Sequence, residues 1–378
     1  MQLTNLWQLA LLSTAISLAI AHPGEHHQHN SAAEIQKRAF QDNARRGLDK
    51  CAKRLETSGL NARAEARRRR TFNLHRRSVS ARDTDTVLNK SHLSNDSSIT
   101  TDTSFSTIFE TTSTCVLNPE GETGPYYIKG EYIRSDIREN EPGVPIILDG
   151  QFIDVETCEP ITNLYWDVWN CNATGVYSGL VATGNGNTAD AANLNATFLR
   201  GVQKTDDEGV VQFSTLFPGH YSGRTTHHHI VAHLNVTVLP NNTIVGGTVA
   251  HIGQLFWDQD LINEVEATSP YSTNTVTLTT NEEDRVFSTE TTGTTSDPVI
   301  NYVKLGDSLS DGLLGWITIA VNTSATYDPN YSYVYTASGG VAESGGGTDT
   351  PNGGSPSGGS GAPSGPNGTG APGGGFRV

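Results

Sequence analysis

The sequence predicts an all-β fold, a β-sandwich, occupying the middle of the chain. Two observations carry that expectation. Between residues 115 and 325, short runs of β-favouring residues recur, separated by turns rich in Gly, Pro, Asn and Asp. The same stretch holds four of the five Trp and shows no long helical periodicity. Many short strands in one unit point to two packed sheets. The expected strands are Ile146–Val155, Leu164–Trp169, Val210–Phe213, His227–Leu239, Thr248–Leu255, Thr275–Thr279 and Leu314–Val321. One short helix is expected at Gln259–Glu266, the only place where apolar residues fall at helical spacing.

The flanks differ from this core. The chain has 378 residues and a formal net charge of −15, distributed unevenly. Residues 1–82 hold 15 of the 25 Lys and Arg but 6 of the 40 Asp and Glu, which leaves 10 basic and 34 acidic side chains for the remainder. A region that acidic repels phosphate backbones, so nucleic acid is excluded as a partner. Residues 1–21 read as a signal peptide. Leu9 to Ile20 is almost wholly apolar, Ala19-Ile20-Ala21 is a small-x-small cleavage site, and the run is too short to span a membrane. No Lys or Arg precedes it. Secretion is therefore expected, and Asn-x-Ser/Thr acceptors such as Asn89, Asn172, Asn235 and Asn322 agree with glycosylation. Residues 22–82 form a basic leader or propeptide, helix-favouring from about Ala32 to Arg70, with basic pairs such as Lys53-Arg54 and Arg76-Arg77. Residues 83–114 read as a Ser/Thr-rich linker, and 338–378 as a flexible Gly/Ser/Pro tail. Of the four cysteines, Cys51 lies in the leader, and one bridge is expected among Cys115, Cys158 and Cys171.

The chemistry concentrates in one segment, Phe217 to His233. If His227 opens a strand, alternation puts His227 and His229 on one face with Cα atoms about 6.6 Å apart, close enough for two imidazoles to share one ion. His228 then points to the other face, and His233 lies about 13 Å further along. Tyr221 follows a Pro-Gly turn six residues before His227, and Tyr177 follows the aromatic run from Trp166 to Trp169. Two phenolic oxygens are hard ligands suited to a trivalent ion such as Fe(III), which would hold them deprotonated despite an ordinary pKa of about 10. Taken alone, the histidines also fit surface or core positions, and the tyrosines fit ordinary packing.

The ordered pattern is more specific. Trp169, Asn172, Ala173, Gly175 and Tyr177 come first, then Pro218, Gly219 and Tyr221, then Arg224, His227 and His229. This resembles the intradiol ring-cleavage dioxygenases, the family of catechol, hydroxyquinol and protocatechuate dioxygenases. The upstream Gly124-Pro-Tyr-Tyr127 is similar to that family's segment beside the substrate. The resemblance covers roughly Cys115 to Val321, and the leader and tail look like those of the secreted fungal branch. It implies a non-haem Fe(III) cofactor held by Tyr177, Tyr221, His227 and His229, with Tyr221 the ligand released when substrate binds. Arg224 would stabilise the electron-rich substrate, and Tyr127 and Tyr126 would line its pocket. The partners implied are a small aromatic diol and O₂, with muconate-type products and no membrane. Two departures stand out: His228 sits between the two ligand histidines, and Thr225-Thr226 precedes the first. Two other classes compete. His22, as a mature N-terminus, could serve a copper oxidase; alternatively, the domain could be a non-catalytic β-sandwich binding carbohydrate or a cell-wall partner.

Overall fold

The computed structural model describes residues 42, 46–47, 51, 54–76, 114–115, 123–182, 184–186, 190–291 and 297–343. The signal peptide, the leading histidines, nearly all of the linker, and the tail beyond 343 lie outside the described residues. The described chain is mostly strand. In order come a helix α1 (Leu60–His75), then β1 (Thr114–Cys115), β2 (Ile128–Lys129), β3 (Pro145–Asp154), β4 (Tyr165–Trp169), β5 (Arg200–Lys204), β6 (Val210–Leu216), β7 (His227–Leu234), β8 (Thr237–Val238), β9 (Ile244–Val245) and β10 (Thr248–Phe256). Helices α2 (Gln259–Glu266) and α3 (Arg285–Thr291) follow, then β11 (Asn301–Lys304), β12 (Leu313–Val321), β13 (Tyr333–Thr336) and β14 (Gly339–Ala342). No helix among the described residues is long and apolar enough to cross a membrane.

Two sheets make the core. One runs β1-β12-β3-β6, with β11 added beside β12; the other runs β10-β7-β4-β5. Trp166 of β4 reaches across to Phe152 of β3 and Phe213 of β6, with ring centroids 5.3 and 5.6 Å away. Gly150 of β3 lies directly under that indole: a Cβ there would stand 2.5 Å from the Trp166 ring. Gly150→Ala is therefore expected to destabilise the domain by about 1–3 kcal/mol through overpacking, seen as a lower midpoint in thermal or urea unfolding. An unchanged midpoint would mean that the sheets separate easily there.

Strand β3 is buried along nearly all its length rather than on alternate residues. The second sheet covers one side, and α1, from the basic leader, lies on the other. The α1 sequence is rich in Ala and Arg, good helix formers. Its buried residues Leu60, Ala64, Arg68 and Thr71 recur three or four apart, which is one helical face. Arg67 bonds the fully buried Asp149 of β3 through two contacts of 2.9 and 3.0 Å, and Gln212 donates to the same carboxylate at 2.7 Å. Arg68 lies over the Trp316 ring at 5.7 Å and donates to Thr318.

The predicted cysteine pairing is corrected here. Cys158 pairs with Cys51 of the leader, Cα atoms 5.2 Å apart and 107 residues distant in sequence, and Cys171 is a buried free thiol. The reason is the docking of the leader. Cys51 packs with Leu55, Leu60 and Ile153, which brings it to the β3 end where Cys158 lies. A charge map that set the leader apart could not show that contact.

Burial alone would raise the Asp149 carboxyl, but Arg67, then Arg68 and Gln212, outweigh it and hold it below the ordinary carboxylate value. A depressed carboxylate contributes stability that is fully present above its unfolded value, about 3.9, and is lost as pH falls through the folded value. Protection of the leader from proteolysis is therefore expected to persist at neutral pH and to weaken below about pH 4. In an Asp149→Asn variant the same titration should be flat; a wild-type profile that is flat as well would remove this ion pair from leader docking.

Strand and helix positions largely follow the sequence reading, including α2 at Gln259–Glu266. Thr275–Thr279 does not form a strand. Its backbone groups are taken by side chains instead: the Val276 carbonyl accepts from His220 Nε2 at 2.8 Å, and the Val276 N–H donates to Asn274. The expected His227–Leu239 strand is broken by Asn235, whose φ of 57° turns the chain into the separate β8.

Candidate active site

Strand β7 is central in its sheet, paired with β10 on one side and β4 on the other, and every residue in it is buried. Alternation places the His227 and His229 rings together, with their Nε2 atoms 3.0 Å apart. His227 Nδ1 faces the Thr225 carbonyl at 2.6 Å. A carbonyl only accepts, so Nδ1 carries the proton and Nε2 keeps its lone pair. The His229 ring lies flat on Trp169 at 4.9 Å and 3°, and Trp169 is its cross-strand partner on β4. His228 points the other way, to Asn170 Oδ1 at 3.0 Å and toward Trp257. His233 sits with Asp167 and Tyr127 instead.

Both tyrosines join the two histidines. Tyr221 Oη lies 3.4 Å from His227 Nε2, and its ring packs edge-on against Tyr177 at 5.5 Å. The Tyr177 ring is 6.0 Å from that of His229. The turns that bring these rings inward need glycine. Gly175 has φ 83°, and a Cβ there would strike the His220 carbonyl at 2.3 Å. Burial pushes both phenols well above the ordinary value; at Tyr221 the nearby Arg224 charge opposes it. The Tyr177 Oη is buried with no formed hydrogen bond.

These residues fit a ferric ion. Two nitrogens bonded to one ion at about 2.1 Å and a right angle lie about 3 Å apart, the spacing of the two Nε2 atoms. The remaining donors are phenolic oxygens. Among the described residues no three His, Cys, Asp or Glu side chains gather as a metal site; an ion at His227 and His229 would need further donors, and the two phenols are of a type that a ferric ion accepts. The Tyr177 oxygen, costly to bury unbonded, would gain a partner as a ligand.

Around this cluster lie the other predicted residues. Arg224 is fully buried, with Nη1 3.5 Å from Tyr221 Oη, Nε 2.8 Å from Asp284 Oδ2, and Nη2 donating to Gln254 Oε1. Tyr126 packs against both of these tyrosines, at 4.8 Å from Tyr177 and 5.6 Å from Tyr221. Tyr127 stands further back, stacked on Trp169 at 4.6 Å and donating to Asp167 at 3.0 Å.

Several residues escaped the sequence reading. Gln254 is cross-strand to His229, and Asp284 precedes α3. Arg200, cross-strand to Trp169, donates to Glu131 at 3.0 Å, to the Tyr126 carbonyl at 2.7 Å, and to Ser178. That guanidinium ties together the segments carrying Tyr126 and Tyr177, with its centre 5.7 Å from the Tyr177 ring. Polar residues inside apolar strands were the available signal: Gln254 in Val249–Trp257, and Arg200 beside Leu199 and Val202.

A family model described as Dioxygenase matches residues 122–240. Among solved structures, an intradiol ring-cleavage dioxygenase from Tetranychus urticae is similar at 34% identity, over 57% of this chain and 98% of its own, with a TM-score of 0.46. The dioxygenase domain of a dioxygenase carbohydrate-binding protein fusion from Streptomyces sp. SirexAA-E is similar at 22% identity, over 54% and 97% of the two chains, TM-score 0.35. Catechol 1,2-dioxygenase from Acinetobacter sp. ADP1 is similar at 16% identity, over 57% and 67%, TM-score 0.37. No curated protein matches the chain.

Proposed function

The chain belongs to the intradiol ring-cleavage dioxygenases, oxidoreductases that incorporate both atoms of O₂, and from that premise we propose that it opens catechol-type rings between their two hydroxyl-bearing carbons. The cofactor proposed is a non-haem ferric ion held by Tyr177, Tyr221, His227 and His229. One observation carries this reading: two imidazole nitrogens 3.0 Å apart with a tyrosine oxygen 3.4 Å from one of them, beside a second buried phenol.

When bound, the ion would supply a Lewis acid that the two oxygens of a deprotonated catechol can chelate, making the ring reactive toward O₂. The protein does the rest. Thr225 fixes the His227 tautomer, and Trp169 fixes the plane of His229. Tyr221 Oη, as a phenolate, would accept one substrate hydroxyl proton, the second leaving to solvent, and the resulting neutral phenol would remain beside Arg224. Arg224 provides a fixed positive charge for the electron-rich bound ring. Tyr126 forms the wall against both ligand tyrosines and excludes water there. Tyr127 supports that wall through Trp169. The proposed substrates are a small aromatic diol and O₂, with a muconate-type product. Secretion is also proposed; the apolar run at Leu9–Ile20 and the Cys51–Cys158 bridge support it, since disulfides persist in oxidising compartments.

The test is an iron assay and a visible spectrum on the purified full chain, before and after catechol is added without oxygen. One ferric ion per chain, with a broad absorption that moves on catechol addition, is expected. A protein that stays colourless and iron-free after reconstitution would overturn the assignment. The carbohydrate-binding alternative is not favoured, because nothing in the site calls for it and the family is one of enzymes.

A further inference from the structure

We propose that Asp284 is a positioning residue for catalysis: from outside the sequence motif, its carboxylate sets the orientation and the charge balance of Arg224. This rests on the ring-cleavage reading above, in which Arg224 faces the substrate.

The geometry is specific. Asp284 and Arg224 are both completely buried. Asp284 Oδ2 accepts from Arg224 Nε and from the Thr225 backbone N–H, each at 2.8 Å. Its other oxygen, Oδ1, accepts from the Phe287 N–H at 2.8 Å, in the first turn of α3. One carboxylate therefore grips the guanidinium, the backbone beside it, and its own helix. A second link holds the same two segments together. Thr225 Oγ1 donates to Asn281 Oδ1 at 2.8 Å, and Asn281 Nδ2 donates to the Trp257 carbonyl at 2.9 Å.

Two consequences follow. With Nε engaged by Asp284, the guanidinium plane is fixed, and its other edge points Nη1 at Tyr221 and Nη2 at Gln254. Arg224 is therefore aimed before substrate arrives. The second consequence is electrostatic. A buried guanidinium without a counter-charge is strongly unfavourable; Asp284 supplies that charge on the edge away from Tyr221. The site then meets a substrate anion with an oriented dipole rather than a loose cation, and orientation of this kind lowers the barrier without reorganisation during reaction. The link lies at residue 284, beyond the 122–240 segment matched by the family model.

The test uses the iron-loaded full chain and compares Asp284→Asn, Arg224→Gln and the double variant. Asp284→Asn is expected to keep one iron per chain and an unchanged visible band, while kcat falls about 10- to 100-fold and KM for catechol changes far less. In the Arg224→Gln background, adding Asp284→Asn is expected to cost no further turnover, since a residue acting through Arg224 has nothing left to act on. A kcat within about twofold of wild type for Asp284→Asn would overturn the proposal. So would losses that multiply in the double variant, the pattern of a merely structural role. Should the single Asp284→Asn chain fail to fold, Arg224→Gln against the double variant still decides, because the double variant leaves no uncompensated buried charge. A wild-type chain that neither binds iron nor turns over catechol overturns both this inference and the reading beneath it; an active wild type with an unaffected Asp284→Asn overturns this inference alone.

Discussion

Tyr177→Phe is expected to weaken iron binding by more than about 100-fold and to abolish ring cleavage, while leaving the metal-free protein as stable as wild type or more so. Outer-shell partners of metal ligands typically account for about 10- to 100-fold in affinity or activity, and a direct ligand should exceed them. The stability half of the prediction follows from the hydroxyl's surroundings. Tyr177 is fully buried, and its oxygen makes no hydrogen bond of good geometry, with the Tyr221 phenol beside it. Removing a buried polar atom that lacks a partner relieves a desolvation cost instead of breaking a bond. The ring itself stays, so its packing on Tyr126 and Tyr221 and its contact with Arg200 survive. Chelator competition reads the iron affinity, and thermal unfolding of the iron-free protein reads the stability. Undiminished iron affinity with an unchanged visible band would remove Tyr177 from the site. A large loss of iron-free stability would show instead that its hydroxyl is structural.

The Cys51→Ser/Cys158→Ser double variant is expected to lose roughly 4–5 kcal/mol of stability, the chain-entropy value for a loop of about 100 residues. The bridge spans 107 residues. For a domain of this size, that corresponds to a fall in Tm on the order of 10 °C. The loss should appear first at the leader, because α1 is then held by noncovalent contacts alone: its buried face, the Arg67–Asp149 and Arg63–Glu208 pairs, Arg68, and the Gln212–Thr71 hydrogen bond. The same bridge makes a further expectation about processing. A cut at Lys53-Arg54 or Arg76-Arg77 would leave the Cys51 fragment attached, so the two pieces should separate on a gel only after reduction. A variant melting with wild type would mean that the noncovalent contacts of α1 suffice.

How much of this was legible in the sequence varies with the range of the contact involved. Strands β3, β10 and β12 were legible as largely apolar, β-branched runs bounded by turn residues, β4 through its aromatics, and β7 through Ile230, Val231 and Leu234 after the histidines. Helix α2 was legible from its spacing of Leu261, Ile262 and Val265. The Thr275–Thr279 run has the same alternation, yet His220 and Asn274 occupy its backbone groups, and local pattern cannot foresee such partners. The hairpin β13–β14 was missed because Tyr333–Ala342 borders a Gly/Ser-rich tail, and only β2 gives it a sheet to join.

Legible in the sequence was the candidate site: His227 and His229 share one face of a strand through its two-residue period, and Tyr177, Tyr221 and Arg224 stand out through the ordered pattern that resembles the intradiol family. The tertiary structure alone decided what surrounds that site. Gln254, Asp284 and Glu131 reach the site or its supports from segments distant in sequence, and Cys51 crosses 107 residues to Cys158. The leader, set apart by its charge, proved to be the cover of β3, because a buried Asp149 needs a cation and Arg67 supplies it. Such partners are selected by burial and charge compensation across the folded core, and neither leaves a spacing in the sequence to read.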